Sequence, residues 1–220
     1  MRPKLAIAAW LIVTFLTDVS AQPASTIGLT SEELFGSMVR RFKWRTLEIP
    51  VCWENPNSRD IKERQTVRSA IEENWQRYSA LTFPGWGKCS DHFTKGIRIR
   101  ISDERPRTIK LGRLVSGRRN GMILNFNFQR WGRDCSQHQE FCLRALAVHE
   151  FGHALGFTHE QNRSDAPDEC RGEATGAVGD YNVTRYDPSS VMNYCRSIWN
   201  GNGNLSALDI QAVQTVYGRQ

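Results

Sequence analysis

From His149 to Glu160 the chain reads His-Glu-Phe-Gly-His-Ala-Leu-Gly-Phe-Thr-His-Glu, and three of its five histidines fall there, the others being His92 and His138. Residues four apart lie on one face of a helix, so His149 and His153 can present both imidazoles to a single metal ion. Glu150, one step round the same helix, can reach a water on the ion's open side. Gly156 lets the chain leave the helix sharply, and His159 can return as a third ligand. Three protein ligands with one open position is the pattern of a catalytic zinc site, not of a closed structural one. The chemistry is hydrolysis by an activated water, with Glu150 taking its proton. A buried helix that happens to carry two histidines would need all these residue types and spacings to coincide, so that reading is set aside.

These side chains need a helix to hold them and a core to hold the helix. Leu143 to Leu155 reads as that helix, with Leu146, Ala147, Phe151, Ala154 and Leu155 available for burial. Ahead of it, Ile49 to Trp53 reads as a short strand. Val67, Ile71, Trp75 and Tyr78 then recur at steps of four, four and three, giving one helical face between Ser58 and Tyr78. Gly85-Trp86-Gly87 reads as a loop, and the strict alternation Ile97-Arg98-Ile99-Arg100-Ile101 as a strand with one buried face. Thr108 to Gly112 is a further strand candidate, Ser116 to Gly121 a flexible connection, and Met122 to Phe128 an apolar central strand. Gln161 to Pro188 has little period and reads as irregular structure held by Cys170. A last helix runs from Ser206 to Tyr217, with Ser206 and Asp209 as a capping pair and Ile210, Val213 and Tyr217 on one face. The class is α+β.

A chain of 220 residues allows one domain or two lobes sharing a cleft. Its start reads as a secretory signal peptide over residues 1–21: Arg2 and Lys4 are basic, Leu5 to Leu16 is apolar, and Val19-Ser20-Ala21 offers small residues for cleavage before Gln22. The apolar run is short for a bilayer, so stable membrane insertion is not expected. Six cysteines follow, Cys52, Cys89, Cys135, Cys142, Cys170 and Cys195, and an even count in an exported chain reads as disulfides. Many pairings are open, and we adopt the sequential one: Cys52–Cys89, Cys135–Cys142 and Cys170–Cys195. No C-x-x-C spacing occurs, which argues against a thiolate zinc site. The formal charge is +6, and many cations cluster at Arg98, Arg100, Arg105, Arg107, Lys110, Arg113, Arg118 and Arg119. No nucleic-acid module surrounds them, so nucleic acid is not an expected partner. A solvated face, acidic substrates or anionic cell surfaces remain as readings.

The segment His149–Glu160 resembles the HExxHxxGxxH signature of the metzincin metallopeptidases, and its Phe157 and Glu160 are similar to the astacin branch, HExxHxxGFxHE. Ser190-Val191-Met192-Asn193-Tyr194 resembles that family's Met-turn, SxMHY, with Asn193 in place of the usual His. The resemblance implies that Met192 lies beneath the metal as an apolar floor and that Tyr194 is a movable zinc ligand able to reach the scissile carbonyl. It implies that Glu160 contacts the new N-terminus of a matured enzyme. Leu34-Phe35-Gly36-Ser37 lacks the Asp of the family's FxGD propeptide switch, so latency by that route is not expected. The implied fold is a metzincin-type zincin: a twisted mixed sheet with two long helices in an upper lobe, and a mostly irregular lower lobe with a C-terminal helix. Substrate would lie in the cleft between them, paired with an edge strand at Thr108 to Arg113. The domain reading is a signal peptide over 1–21, an N-terminal segment over 22–45 open to removal as a short pro-segment, and a catalytic domain over 46–220. The functional reading is a secreted, monomeric, zinc-dependent endopeptidase acting on protein or peptide, with one catalytic Zn²⁺. The alternative is an exported zinc-binding adhesion or recognition module without catalysis.

Overall fold

A computed structural model describes residues 37–171, 176, 178–195 and 200–220. The expected signal peptide, and the 22–45 segment as far as residue 36, lie outside the described residues.

Five strands form one mixed sheet: β2 (Val51–Trp53), β3 (Gly85–Lys88), β4 (Ile97–Ile101), β5 (Arg107–Thr108) and β6 (Met122–Leu124), in the order β3-β2-β4-β6-β5. A two-residue strand β1 (Ser37–Met38) precedes them and pairs antiparallel with β7 (Tyr181–Asn182). β2 is parallel to β3 and β4, and β4 is parallel to β6, whereas β5 runs antiparallel at the outer edge. Parallel neighbours are buried on both faces, which is why Ile97, Ile99, Met122 and Leu124 are fully enclosed. Helices α1 (Ile61–Ile71), α2 (Gln139–Leu155) and α3 (Ala207–Tyr217) complete the architecture. The α+β reading is borne out.

Several local expectations need correction. Gly85-Trp86-Gly87 is not a loop but the body of β3. At Gly85 (φ +104°) a Cβ would lie 2.5 Å from the Val51 carbonyl oxygen, so only glycine lets the two backbones approach so closely beside the register shift. The strand expected over Thr108 to Gly112 stops at Thr108, because the chain winds into a 3-10 turn at Gly112–Val115 that buries Val115. The strand expected to reach Phe128 ends at Leu124, where the Asn125 side chain accepts from the Asn127 and Phe128 amides at 3.1 and 2.8 Å and folds the chain into an Asx turn. Nor is Ser116 to Gly121 slack: the Ser116 hydroxyl accepts from the Gly96 amide at 3.0 Å, and the Asn120 amide donates to Glu54 at 3.1 Å. The helix after Ser58 is α-helical over Ile61–Ile71 and π-wound over Glu72–Gln76, which keeps Trp75 buried while Tyr78 is only partly covered.

Helix α2 starts at Gln139, one turn earlier than its apolar pattern, behind the Cys135–Cys142 disulfide. All three sequential disulfides form, Cys52–Cys89, Cys135–Cys142 and Cys170–Cys195. α2 is buried nearly all round and is held by side-chain donors that reach its carbonyls. Trp75 Nε1 donates to Val148 O (2.8 Å), Trp44 Nε1 to Ala154 O (2.7 Å) and the Tyr217 hydroxyl to Leu155 O (2.6 Å). Ala154 and Leu155 are among the last residues of α2, whose carbonyls lack intrahelical partners, so two of these bonds satisfy a buried helix end. Trp44 and Met38 both sit in this core. α3 is capped as its sequence indicates, Ser206 accepting from the Asp209 amide and Asp209 from the Ser206 amide. Its Ile210, however, is only partly buried, and Ala212, Val213, Val216 and Tyr217 form the buried face.

Gly152 lies between the two helical histidines, and a Cβ there would fall 2.3 Å from Met192 Sδ and 3.2 Å from Trp75 Cζ2. Alanine normally stabilises a helix relative to glycine by about 1 kcal/mol, but here it must displace a packed sulfur. Gly152→Ala is expected to lower stability by about 1–3 kcal/mol in urea denaturation. Gly87→Ala, which meets nothing within 4 Å, should change it far less.

Candidate active site

α2 delivers His149, Glu150 and His153, and Gly156 then ends it in the left-handed region at φ +101°. The chain doubles back through Phe157 and Thr158, which is fastened to β1: the Val39 amide donates to Gly156 O at 3.1 Å and the Thr158 amide to Ser37 O at 2.9 Å. His159 returns to the end of the helix by this route.

The three imidazoles converge. His159 Nε2 lies 3.0 Å from His153 Nε2 and 3.3 Å from His149 Nε2. His149 Nδ1 stands 2.8 Å from the Val191 carbonyl and His153 Nδ1 2.9 Å from the Phe157 carbonyl. A carbonyl only accepts, so each Nδ1 carries the proton and donates it. Burial holds His153 down to about pKa 3 and His149 well below the usual imidazole value, so both rings are neutral. Their Nε2 atoms are therefore bare lone pairs aimed at one point. Such an arrangement is repulsive by itself and fits a cation, with second-shell carbonyls of the kind that orient metal-bound histidines. Among the described residues this is the one group of three or more side chains able to hold a metal.

Glu150 is buried, and its Oε2 has no hydrogen-bond partner. Burial pushes its carboxyl up to about 7, against Thr108 and the charges of Arg105 and Arg107, which act to lower it. Thr108 on the edge strand ties the helix to the sheet, its hydroxyl donating to Glu150 O at 2.9 Å. Tyr194 sets its ring against two of the imidazoles, tilted to His149 with centroids 4.8 Å apart and edge-on to His159 at 4.7 Å. Burial, then the neighbouring Glu150 charge, push its hydroxyl above the usual range, so it stays a donor at neutral pH. Arg105 reaches this hydroxyl. These groups line a cleft of about 600 Å³ with Arg107, Lys110 and Leu114 on its rim.

Between the two helical histidines, Met192 packs into the notch that Gly152 leaves. Its turn is set by α3: Asp209 accepts from the Ser190 hydroxyl (2.6 Å) and the Val191 amide (2.9 Å). Asn193, fully buried, is not a neutral stand-in for His. Its Nδ2 donates to the Tyr186 hydroxyl (2.9 Å) and Asp187 O (3.1 Å), and its Oδ1 accepts from the Cys195 amide (2.8 Å). Glu160 Oε2 accepts from the Asp187 amide at 2.9 Å and faces the buried Arg163 at 3.5 Å.

The matrixin family profile matches residues 43–166, more than half of the chain. The chain belongs to this family of metzincin zinc metallopeptidases. Solved structures share its fold. Myroilysin superposes with a TM-score of 0.58 at 23% identity, covering 84% of this chain and all of that one, 100%. High choriolytic enzyme 1, a hatching-enzyme zinc protease of Oryzias latipes, gives 0.54 at 20% identity, covering 86% of this chain and 100% of that one. A curated relative, embryonic protein UVS.2 of Xenopus laevis, is 39% identical over 72 residues, 28% of this chain and 14% of the relative's length. The metzincin resemblance is thus borne out, and the matched stretch spans only a small part of the curated relative's length.

Sequence reasoning placed Thr108 on an edge strand but missed its bond to Glu150 O, and it missed the Val191 and Phe157 carbonyls, the second role of Asp209 and the strand at Ser37–Met38. The capping pair was the one visible signal for Asp209. The carbonyls carry no side-chain signature at all.

Asn193→Ala would strand three partners beside the Met-turn. It is expected to cost about 1–3 kcal/mol, read as a lowered denaturation midpoint.

Proposed function

We propose that this chain is an exported zinc endopeptidase in which His149, His153 and His159 hold one Zn²⁺ and Glu150 is the general base. The observation that carries it is the buried, unpartnered Glu150 Oε2 beside three converging Nε2 atoms. A buried carboxylate oxygen without a partner costs free energy unless a ligand completes it, and an attacking water is the ligand that position fits. A zinc ion held there would acidify a water toward a pKa of about 7 and polarise a carbonyl.

The chain's own residues do the rest. The outer edge of β5 offers backbone groups to an extended polypeptide, which lays the scissile bond across the cleft. Glu150 accepts the proton of the attacking water and passes it to the leaving amine. The protonated Tyr194 hydroxyl donates to the oxygen that gains charge, with Arg105 beside it. Met192 gives the ligands an apolar floor, and Glu160 with Arg163 fixes the chain just beyond His159.

Export is supported by three disulfides and by the signal-like residues 1–21. Among the described residues no helix is long and apolar enough to cross a membrane. We assign the catalytic domain to residues 46–220 and treat the protein as a monomer.

An unbiased peptide library should be cut by the purified, disulfide-bonded protein, and a zinc chelator should stop it. Glu150→Ala is expected to abolish turnover while retaining zinc, whereas His153→Ala loses the metal, measured by metal analysis. Undiminished cutting by Glu150→Ala would remove the proposed base. Bound zinc with no cutting would favour the non-catalytic recognition module. The rate should also fall with decreasing pH, because a protonated Glu150 cannot accept a proton. Burial raises its pKa to about 7 in the metal-free site, and a nearby cation lowers it. The acid limb of kcat/KM is therefore expected at or below pH 7.

A further inference from the structure

The endopeptidase reading leaves one charged surface unused. A second cavity, about 460 Å³, adjoins the cleft and shares Leu114 with it as a common wall. Arg113, Arg118 and Arg119 line it together with Asp91, and Lys110 is among the residues lining the cleft. The charges of these arginines are poorly compensated. Arg119 approaches Asp91 only at 4.0 Å, with both side chains largely in solvent (78% and 96% exposed). Arg118 Nε donates to a neutral acceptor, Leu114 O, at 2.7 Å, and Arg113 has no ion pair among the described residues.

The backbone under these cations is fixed. Gly117 donates to Gly96 O at 2.9 Å, and the Gly96 amide donates to the Ser116 hydroxyl at 3.0 Å. On the other side of the turn the Asn120 amide donates to Glu54, whose carboxylate makes a bidentate pair with the nearly buried Arg98 at 2.7 and 3.0 Å. A solvated basic face would not need such anchoring. A binding surface gains from it, because little order is lost when a ligand arrives.

We propose that Arg113, Arg118 and Arg119 form an exosite for an acidic stretch of the polypeptide substrate, continuous with the cleft in which that substrate is cut. The inference rests on the endopeptidase reading. The occupant is a polypeptide because the cavity and the cleft meet at Leu114, so a chain bound in the cleft can extend past that residue to the arginines. It is acidic because, of the three arginines on that path, only Arg119 has an ion-pair partner among the described residues, the exposed Asp91 at 4.0 Å.

The test uses peptides that share one cleavable core taken from the library and carry either four Glu or four Gln, placed before or after the core. At low salt the Glu peptide of one placement is expected to show a KM about 10-fold below its Gln counterpart, with kcat unchanged, and the difference should vanish at high salt. Poly-L-glutamate should compete with the Glu peptide and leave the bare core untouched. The double variant Arg113→Gln/Arg119→Gln should lose the preference while cutting the bare core normally, which also shows that it is folded. Equal KM values for Glu and Gln peptides in the wild-type protein would overturn the proposal, as would a preference that survives in the variant. Inhibition by heparin with no effect of the Glu tract would overturn it in favour of a polysaccharide surface. If no peptide is cut, the endopeptidase reading fails separately. Fluorescence anisotropy of a labelled Glu peptide then decides the exosite alone: saturable binding lost in the variant supports it, and absent binding ends it.

Discussion

Two backbone carbonyls set the state of the whole site. Val191 O and Phe157 O each take a proton from a histidine Nδ1, which leaves His149 and His153 with bare Nε2 atoms facing His159. Without those acceptors either ring could carry its proton on Nε2 and face its neighbours as a donor. The rest of the fold keeps the carbonyls in place. Val191 belongs to a turn in which Asp209 accepts from the Val191 amide and the Ser190 hydroxyl, and the same hydroxyl accepts from the Met192 amide. Phe157 is bridged to Met38 and stacked on Trp75, with ring centroids 5.5 Å apart. The chemistry proposed for α2 is therefore held from both ends of the chain.

The same arrangement explains why so much polar material lies buried here. Behind the Met-turn, Glu160, Asp187 and Asp209 cluster with only Arg163 as a buried cation. Burial raises Glu160 to about 7 and Asp209 to about 6, because a carboxylate away from water favours its neutral form. What makes the cluster tolerable is that its oxygens accept from amides and hydroxyls: Asp209 from Ser190, Val191 and Ser206, Glu160 from Asp187, and Asp187 from Ser206 and Ser189. These bonds convert burial into position. Glu150 differs, since its Oε2 has no hydrogen-bond partner, which fits the role of base proposed for it.

The aromatic residues serve both packing and polar needs. Trp44, Trp75 and Tyr217 bury large apolar surfaces and spend their single donors on carbonyls of α2. They come from three distant parts of the chain, so α2 cannot shift along its axis without breaking bonds to all of them. The charged rim follows a different logic: its cations remain in solvent, fixed through their backbone instead of through ion pairs.

His149, Glu150, His153 and His159 were legible in the sequence because metal coordination demands particular side chains at particular spacings, whereas Met192 and Tyr194 were singled out through the family resemblance of their turn. The α+β class, α2, the cap at Ser206 and Asp209, and the alternating strand at Ile97–Ile101 were legible for a similar reason, since local period and local capping leave a local pattern. The sequential disulfides also formed, although spacing alone allowed other pairings. Tertiary structure decided what has no such pattern. Gly85–Lys88 becomes a strand only because Val51 lies alongside it, and Ser37–Met38 only because Thr158 and Tyr181 offer partners. The His149 tautomer and the pinning of the Ser116–Gly121 turn depend on groups tens of residues away, and the nearer partners of His153 and Asn193 meet them only because the chain turns back there. Every residue but proline carries both a backbone carbonyl and an amide N–H, so the identity of such partners is invisible in sequence and their meaning comes entirely from where the fold puts them.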